Sequence, residues 1–213
     1  MEKALLSTAY LPPIQYFTKL ISYPQVLIEK HEHFLKQSFR NRCVIQGPNG
    51  IQSLFIPVIQ GRSGHVPVTD IRIAYNEKWQ KQHWRSLITA YNPSPFFEYY
   101  CDALEPFYTK KWTFLFDYNY ELMTTVINEI GIIQKPDFTT EYQPSSAPDI
   151  KDFRNSIHPK TSQQTNDPEF LPIPYTQVFQ DSNNFSSNLS IIDLLMNTGP
   201  ETLQYLQRSI KRV

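Results

Sequence analysis

The chain has 213 residues, and 20 lysines and arginines balance 20 aspartates and glutamates, so the formal net charge at pH 7 is zero. Binding of nucleic acid through its phosphates needs a basic surplus, and we therefore expect no nucleic-acid partner. The two cysteines, Cys43 and Cys101, are too few for a disulfide framework, and neither belongs to a metal-spaced pair. No apolar run approaches the roughly 18 residues of a membrane span or has the form of a signal peptide, which predicts one cytoplasmic domain over residues 1–213.

The first 42 residues predict a strand, a helix and a second strand. Apolar runs indicate strands at residues 4–11 and 25–30, and the Pro12-Pro13 pair opens an amphipathic helix over residues 13–22. In α/β enzymes this order of elements places a small anionic ligand at the carboxyl end of a strand. The polar residues that follow the second strand are therefore the first candidates for a site.

The middle of the chain predicts antiparallel strands and then helices. Asn49-Gly50 between two apolar runs is a strong hairpin signal, so a β-hairpin is expected over residues 43–58, and the alternation at 68–74 predicts a further strand. Apolar residues at helical spacing, together with capping residues, predict helices at 76–91, 96–107, 118–130 and 190–197, and a last one from 198 to about 210. We expect an α/β fold with a mixed sheet and helices toward the C-terminus.

Residues 134–188 differ in composition from the rest of the chain. This segment is rich in proline and small polar residues, has no glycine, and lacks apolar periodicity outside short islands. Such a length without regular structure is uncommon in a compact domain. We expect an irregular segment that is either a functional lid or partly disordered, with residues 145–168 poorly ordered.

A cluster of titratable residues follows the second predicted strand. If the strand continues, Glu29, His31 and His33 lie on one side of it. Two histidines and a carboxylate suit a divalent metal, a general base with its orienting acid, or a solvated loop. No further ligand for a metal is evident, and we assign neither a metal nor a cofactor.

The next polar residues form the best candidate anion site in the chain. Arg40 and Arg42 each offer a planar fork for phosphate or carboxylate, Lys36 adds a point charge, and Asn41 lies between the arginines. The competing interpretation is a solvated turn whose cations pair with nearby glutamates. His83 flanks an apolar helix face, where it is either catalytic or a packed core residue.

Several ordered motifs resemble the WbqC-like protein family. The resemblance begins with the strand followed by YLPPIQYF at residues 10–17 and continues through KQSFRNR at 36–42. Ser7-Thr8-Ala9 departs from the family, which usually has a glutamine there, and Lys30-His31-Glu32 stands where many members carry paired aspartates. The later matching motifs are PNG at 48–50, IPV at 56–58, HW at 83–84, AY at 90–91, SPFF at 94–97, YTQVF at 175–179 and SIIDLLMNTG at 190–199.

The resemblance implies a role in bacterial O-antigen or other surface-polysaccharide synthesis. The activity suggested for the family is transfer of glycine, or a related acyl group, to a sugar or nucleotide-sugar substrate. In that scheme Glu29 or His31 deprotonates the acceptor, and His83 is a third candidate catalytic residue. The candidate substrate-binding residues are Tyr10, Gln15, Tyr16, Lys36, Arg40, Asn41, Arg42, Tyr91, Tyr175, Gln177 and Asp193.

Two other functions fit the same sequence. A non-catalytic binding or assembly module of the polysaccharide machinery would use the aromatic and proline-rich surface. A nucleotidyltransferase-like enzyme would use the strand–proline–helix opening, although no phosphate-binding motif is present. The oligomeric state is not indicated by any sequence feature.

Overall fold

The N-terminal elements form a parallel strand pair joined by a helix. Strand β1 is Lys3–Ser7, helix α1 is Ile14–Ser22 and strand β2 is Val26–Glu29, and the two strands pair in parallel. The prediction that β1 reaches residue 11 is wrong, because the chain turns after Ser7 and Leu11 has a φ of 39°. The computed structural model describes residues 2–59, 65–144, 149–160, 167–180 and 184–211.

The expected β-hairpin is confirmed. Strand β3 (Arg42–Gly47) pairs with β4 (Gly50–Phe55), and Gly47 faces Gly50 across the turn. The two central turn residues are therefore Pro48 and Asn49, and the positive φ of 102° falls on Gly50. The turn therefore lies one residue earlier than the Asn49-Gly50 turn predicted from the sequence. Because proline holds φ negative, this turn is not the type with two positive φ values that Asn-Gly favours.

The strand predicted at residues 68–74 is mostly wrong. Short strands β5 (Val58–Ile59) and β6 (Arg72–Ile73) form an antiparallel pair, but Val68–Asp70 is a 3₁₀ turn. Val68, Ile71 and Ile73 are all buried, which produces the alternation without a continuous strand.

Three helices follow and build an aromatic core. They are α2 (Trp79–Tyr91), α3 (Phe97–Thr109) and α4 (Leu115–Ile130), and Gly131 ends the last of them in the left-handed conformation. The predicted start of α2 at Asn76 is three residues too early, and α4 begins three residues before the predicted start. No helix of the described residues combines the length and hydropathy that crossing a membrane requires.

The proline-rich segment contains two strands that the sequence did not indicate. Strand β7 (Asp137–Phe138) pairs with β2, and β8 (Ile150–Asp152) pairs with β1, so the parallel sheet has the order β7-β2-β1-β8. Residues 149–160 include buried Phe153 and Ile157 and thus form part of the fold. Residues 145–148 and 161–166, where poor order was expected, lie outside the described residues.

The closing helices and the α/β class are confirmed. Helix α5 is Ile191–Thr198 with Ser190 as its N-cap, helix α6 is Thr202–Arg208, and both pack against α1. The parallel and antiparallel strands belong to separate sheets, one of four strands and two of two strands.

Gly199, between α5 and α6, provides a test of this packing. Its φ is 51°, and a Cβ there would lie 2.5 Å from the Phe96 ring. We expect Gly199→Ala to lower the free energy of unfolding by about 3 kcal/mol, because backbone strain and overpacking add. The matched control is Gly131→Ala, where φ is 79° and no atom lies within 4 Å of the new Cβ, and we expect a loss of only about 1 kcal/mol. Urea unfolding measures both, and equal losses would contradict the proposed clash.

Candidate functional site

Polar side chains gather where the four parallel strands end, a side of the sheet that we call the carboxyl edge. Ser7 ends β1, Glu29 ends β2, Thr139 follows β7, and Asp152 ends β8 with Arg154 two residues later. Ligands of open α/β sheets bind outside this edge because the strand ends and their loops converge there.

Glu29 is fully buried at this edge, and donors from other segments surround its carboxylate. Oε1 accepts hydrogen bonds from Thr139 Oγ1 at 2.7 Å and from the His31 backbone N–H at 2.8 Å. Oε2 accepts from the Gln143 backbone N–H at 2.8 Å and lies 3.5 Å from Arg154 Nη1. Each carboxylate oxygen is therefore engaged, and Glu29 holds the loops after β2, β7 and β8 together.

A second buried ion pair joins Glu32 to Arg40. Arg40 Nε donates to Glu32 Oε1 at 2.9 Å, its Nη2 contacts Glu32 Oε2, and Nη2 also donates to Ser7 Oγ at 2.8 Å. Burial raises the pKa of Glu32, although the Arg40 guanidinium opposes this shift. The charge of Arg40 is thus compensated within the protein.

A cavity of about 640 Å³, which we call the histidine cavity, opens over these two ion pairs. Arg154 forms a two-pronged contact with Asp152, with Nε–Oδ1 at 2.9 Å and Nη2–Oδ2 at 2.7 Å, and its guanidinium lies 5.3 Å from the ring centroid of Tyr142. Tyr142 is 56% exposed. The lining residues are His31, Glu32, His33, Leu35, Arg40, Tyr142, Asp152, Arg154 and Asn155.

His31 is exposed in this cavity with its ring held at one nitrogen. Its Nε2 lies 3.2 Å from the Thr139 carbonyl oxygen. A carbonyl can only accept, so Nε2 carries the proton, and the neutral ring keeps an unprotonated Nδ1. This arrangement is the one that a general base requires.

A larger cavity of about 840 Å³, which we call the large cavity, lies beside the start of α1. A small cavity stands between the two, since its wall shares Phe39 with the large cavity and Arg40 and Arg154 with the histidine cavity. The large cavity is lined by Gln15, Phe39, Val44, Ile51, Ser156, Pro159, Asp167, Phe170, Pro172, Phe185, Ser186, Ser187, Asn188 and Leu189.

The N-terminus of α1 offers no free backbone donor to a ligand. Its first N–H groups, on Ile14, Gln15 and Tyr16, donate to Leu189 O at 3.0 Å, Asn188 Oδ1 at 2.9 Å and Pro13 O at 2.9 Å. These are the groups that hold phosphate in dinucleotide-binding folds. The C-terminal segment therefore occupies the place of the anion expected from the strand–helix–strand order.

The four residues of the candidate anion site have different surroundings. Lys36 is exposed, whereas Asn41 Nδ2 donates to the Ile56 carbonyl at 2.9 Å and supports the start of β3. Arg42 Nη2 donates to Ser53 Oγ at 3.0 Å, and its guanidinium lies 5.1 Å from the Phe55 ring centroid. Arg40 alone of the four lines the histidine cavity.

Tyr10 and His83 meet in the aromatic core, away from both cavities. Tyr10 Oη lies 3.0 Å from His83 Nδ1 and 3.0 Å from Tyr108 Oη, and both Tyr10 and His83 are buried. Burial lowers the pKa of His83 to about 4, so its ring is neutral at pH 7. Tyr16 is also buried, and its hydroxyl donates to the Ser7 carbonyl at 2.9 Å.

The remaining candidates form one buried cluster around Asp193 of α5. Asp193 Oδ2 accepts hydrogen bonds from Tyr175 Oη at 2.7 Å and from Gln177 Nε2 at 3.0 Å. Burial, and then the nearby Asp193 carboxylate, raise the pKa of Tyr91. The cluster attaches the 175–177 segment to α5.

Several site residues were not found from the sequence, namely Thr139, Tyr142, Gln143, Asp152 and Arg154. All of them lie in the segment predicted to be irregular. The one local signal was Asp152 and Arg154 on either side of Phe153, an alternation too short to indicate a strand. No group of three or more His, Cys, Asp or Glu residues within the described ranges could hold a metal ion.

Asp193 predicts a pH dependence of stability. Burial raises its pKa to about 6, although hydrogen bonds from Tyr175 and Gln177 oppose the shift. The folded state therefore favours the protonated carboxyl, and its stabilising contribution is complete below pH 4 and is lost as the pH rises through 6. From pH 4 to 7.5 we expect the wild-type free energy of unfolding to fall by about 2 kcal/mol relative to Asp193→Asn.

Urea unfolding of both proteins at each pH measures this difference, and the titration of all other groups cancels in the comparison. A difference that stays constant between pH 4 and 7.5 would show that Asp193 has an ordinary pKa in the folded protein.

Comparison with known proteins places the chain in a family. The model of the WbqC-like protein family matches residues 8–171 and 157–205. The chain is 24% identical, over 231 aligned positions that cover 96% of each protein, to "Uncharacterized protein Rv1507c" of Mycobacterium tuberculosis (strain ATCC 25618 / H37Rv). No solved structure gives a significant match. Since the family match covers most of the chain, this protein belongs to the WbqC-like protein family.

Proposed function

We propose that this protein transfers an acyl or aminoacyl group, such as glycine, to a sugar, and that the reaction takes place in the histidine cavity. The observation that carries the proposal is His31, whose Nε2 is bound to a backbone carbonyl while its ring is exposed in a cavity at the carboxyl edge. The resemblance to the WbqC-like family, which implies a role in surface-polysaccharide synthesis, supports a sugar as the acceptor.

The proposed step is a nucleophilic substitution at an activated acyl donor. His31 Nδ1 accepts the proton of a sugar hydroxyl or amine while the sugar oxygen or nitrogen attacks the carbonyl carbon of the donor. A new C–O or C–N bond forms, the bond between the carbonyl carbon and the leaving group breaks, and the proton passes from His31 to the leaving group. No net oxidation or reduction occurs.

The surrounding residues have distinct proposed roles. Glu29 is a positioning residue, since its carboxylate binds the His31 backbone N–H and the Thr139 side chain, which immobilises the loop. The exposed ring of Tyr142 offers a flat surface on which a sugar ring can stack. The proposed role of Arg154 is to orient Tyr142, since its guanidinium lies 5.3 Å from the centroid of that ring.

The predicted anion-binding role is best retained for Lys36. This side chain is exposed and has no carboxylate partner among the described residues, whereas the charge of Arg40 is compensated by Glu32 and the Arg42 guanidinium stacks on Phe55 and donates to Ser53. A charged group of the donor or acceptor would therefore meet Lys36 outside the histidine cavity. Nucleotidyl transfer gains no support, because the N-terminal donors of α1 are occupied.

The proposal predicts that His31→Ala reduces acyl transfer at least about 100-fold, as loss of a general base does. The assay incubates the protein with acetyl- or glycyl-coenzyme A and a set of amino sugars and uridine-diphosphate sugars, and mass spectrometry detects the acylated sugar. Folding should be unaffected, because the His31 side chain is exposed and makes one hydrogen bond.

The matched control is His33→Ala in the same cavity. The His33 ring packs against His65, with ring centroids 5.5 Å apart, and we expect its removal to change the rate by less than about threefold. Equal rates for His31→Ala and wild type would overturn the role of His31. Binding of a sugar without any product would favour the binding module.

A further inference from the structure

We propose that the large cavity is a separate binding site for an uncharged saccharide unit. Its wall combines amide and hydroxyl side chains with aromatic and aliphatic side chains, which is the combination that a sugar ring needs. The inference concerns binding alone, and it holds whether or not transfer takes place in the histidine cavity.

The polar wall is held in place while part of its hydrogen-bonding capacity is unused. Gln15 Nε2 donates to Asp167 Oδ2 at 2.7 Å, and Gln15 Oε1 accepts from Asn188 Nδ2 at 3.1 Å. Each amide nitrogen has two hydrogens and uses one of them in contacts with the described residues, so toward that part of the chain a second donor remains on each side chain. Ser156 and Ser187 add hydroxyl groups to the same wall.

Other lining residues present apolar surface to the cavity. Phe39, Phe170 and Phe185 contribute rings, and Val44 and Ile51 contribute the outward face of the hairpin. Ile51 is 57% exposed. The C–H faces of a sugar ring pack on such a surface while its hydroxyl groups bind the amides.

The charge of the cavity lining favours an uncharged sugar over a nucleotide or a phosphate as the ligand. Asp167 is the one ionised side chain among the described residues of the lining, and Lys19 neutralises it, with Nζ 2.8 Å from Asp167 Oδ2. Both side chains are almost fully buried, and Lys19 also lies 3.2 Å from Glu169. The lining residues that the structure describes therefore offer no uncompensated cation to an anionic ligand.

Two cations close in sequence to lining residues, Arg42 and Lys160, have other partners. Arg42 shares the outward face of the hairpin with Val44, but its guanidinium stacks on Phe55 and donates to Ser53. Lys160 follows Pro159, and its ammonium contacts Gln37. We therefore expect a phosphate on the sugar to bring no gain in affinity.

The test is saturation-transfer-difference NMR of the full chain with maltotriose, lactose, N-acetylglucosamine and glucose 6-phosphate. Ser187→Trp fills the large cavity from its exposed rim, and Thr89→Trp places the same ring on an exposed position of α2 as the matched control. We expect at least one uncharged sugar to bind to wild type and to Thr89→Trp, and its affinity to fall at least tenfold in Ser187→Trp.

Three outcomes would overturn the proposal: no binding of any uncharged sugar, binding that Ser187→Trp leaves unchanged, or tighter binding of glucose 6-phosphate than of every uncharged sugar. Failure of acyl transfer would overturn only the role of His31. Because His31 lines the histidine cavity and Ser187 the large cavity, the two proposals fail independently.

Discussion

The buried carboxylate of Glu29 is the constraint on which the carboxyl edge depends. A fully buried charge is costly unless hydrogen bonds and an opposite charge compensate it. Here the donors are Thr139, Gln143 and the His31 backbone, and the guanidinium of Arg154 is the nearest cation. The loop that holds Glu29 and His31 lies more than a hundred residues along the chain from Thr139, Gln143 and Arg154, so one carboxylate orders the ends of three parallel strands.

That order explains how an exposed histidine comes to have a defined geometry. The loop after β2 is held by its backbone to Glu29, and the His31 ring is held by Thr139, whose hydroxyl binds the same carboxylate. Short chains of hydrogen bonds of this kind keep an exposed side chain in one orientation without burying it. The Arg40–Glu32 pair lies between the histidine cavity and the small cavity that borders the large one, since Arg40 lines both of them.

The start of α1 departs from the usual use of a strand–helix–strand unit. Leu189 and Asn188 occupy the helix N-terminus, and Ser190 Oγ donates to the Leu11 carbonyl in the preceding turn. The C-terminal segment thus closes the β1–α1 connection, and it also attaches to β3 through the Ser190 backbone N–H. These contacts join a motif near the C-terminus to one near the N-terminus, and they leave the first N–H groups of α1 without a free hydrogen for a phosphate.

The sequence by itself determined the parts whose causes are local. The β1–α1–β2 unit, the hairpin, the helices and the cap at Ser190 follow from periodicity and from residues that stop or start elements. Tertiary structure alone decided that β7 and β8 exist and that Arg154 reaches Glu29. Strands of two and three residues carry no periodic signal, and their stability comes from pairing with β2 and β1 and from the buried carboxylate, which are contacts that no neighbouring residue encodes.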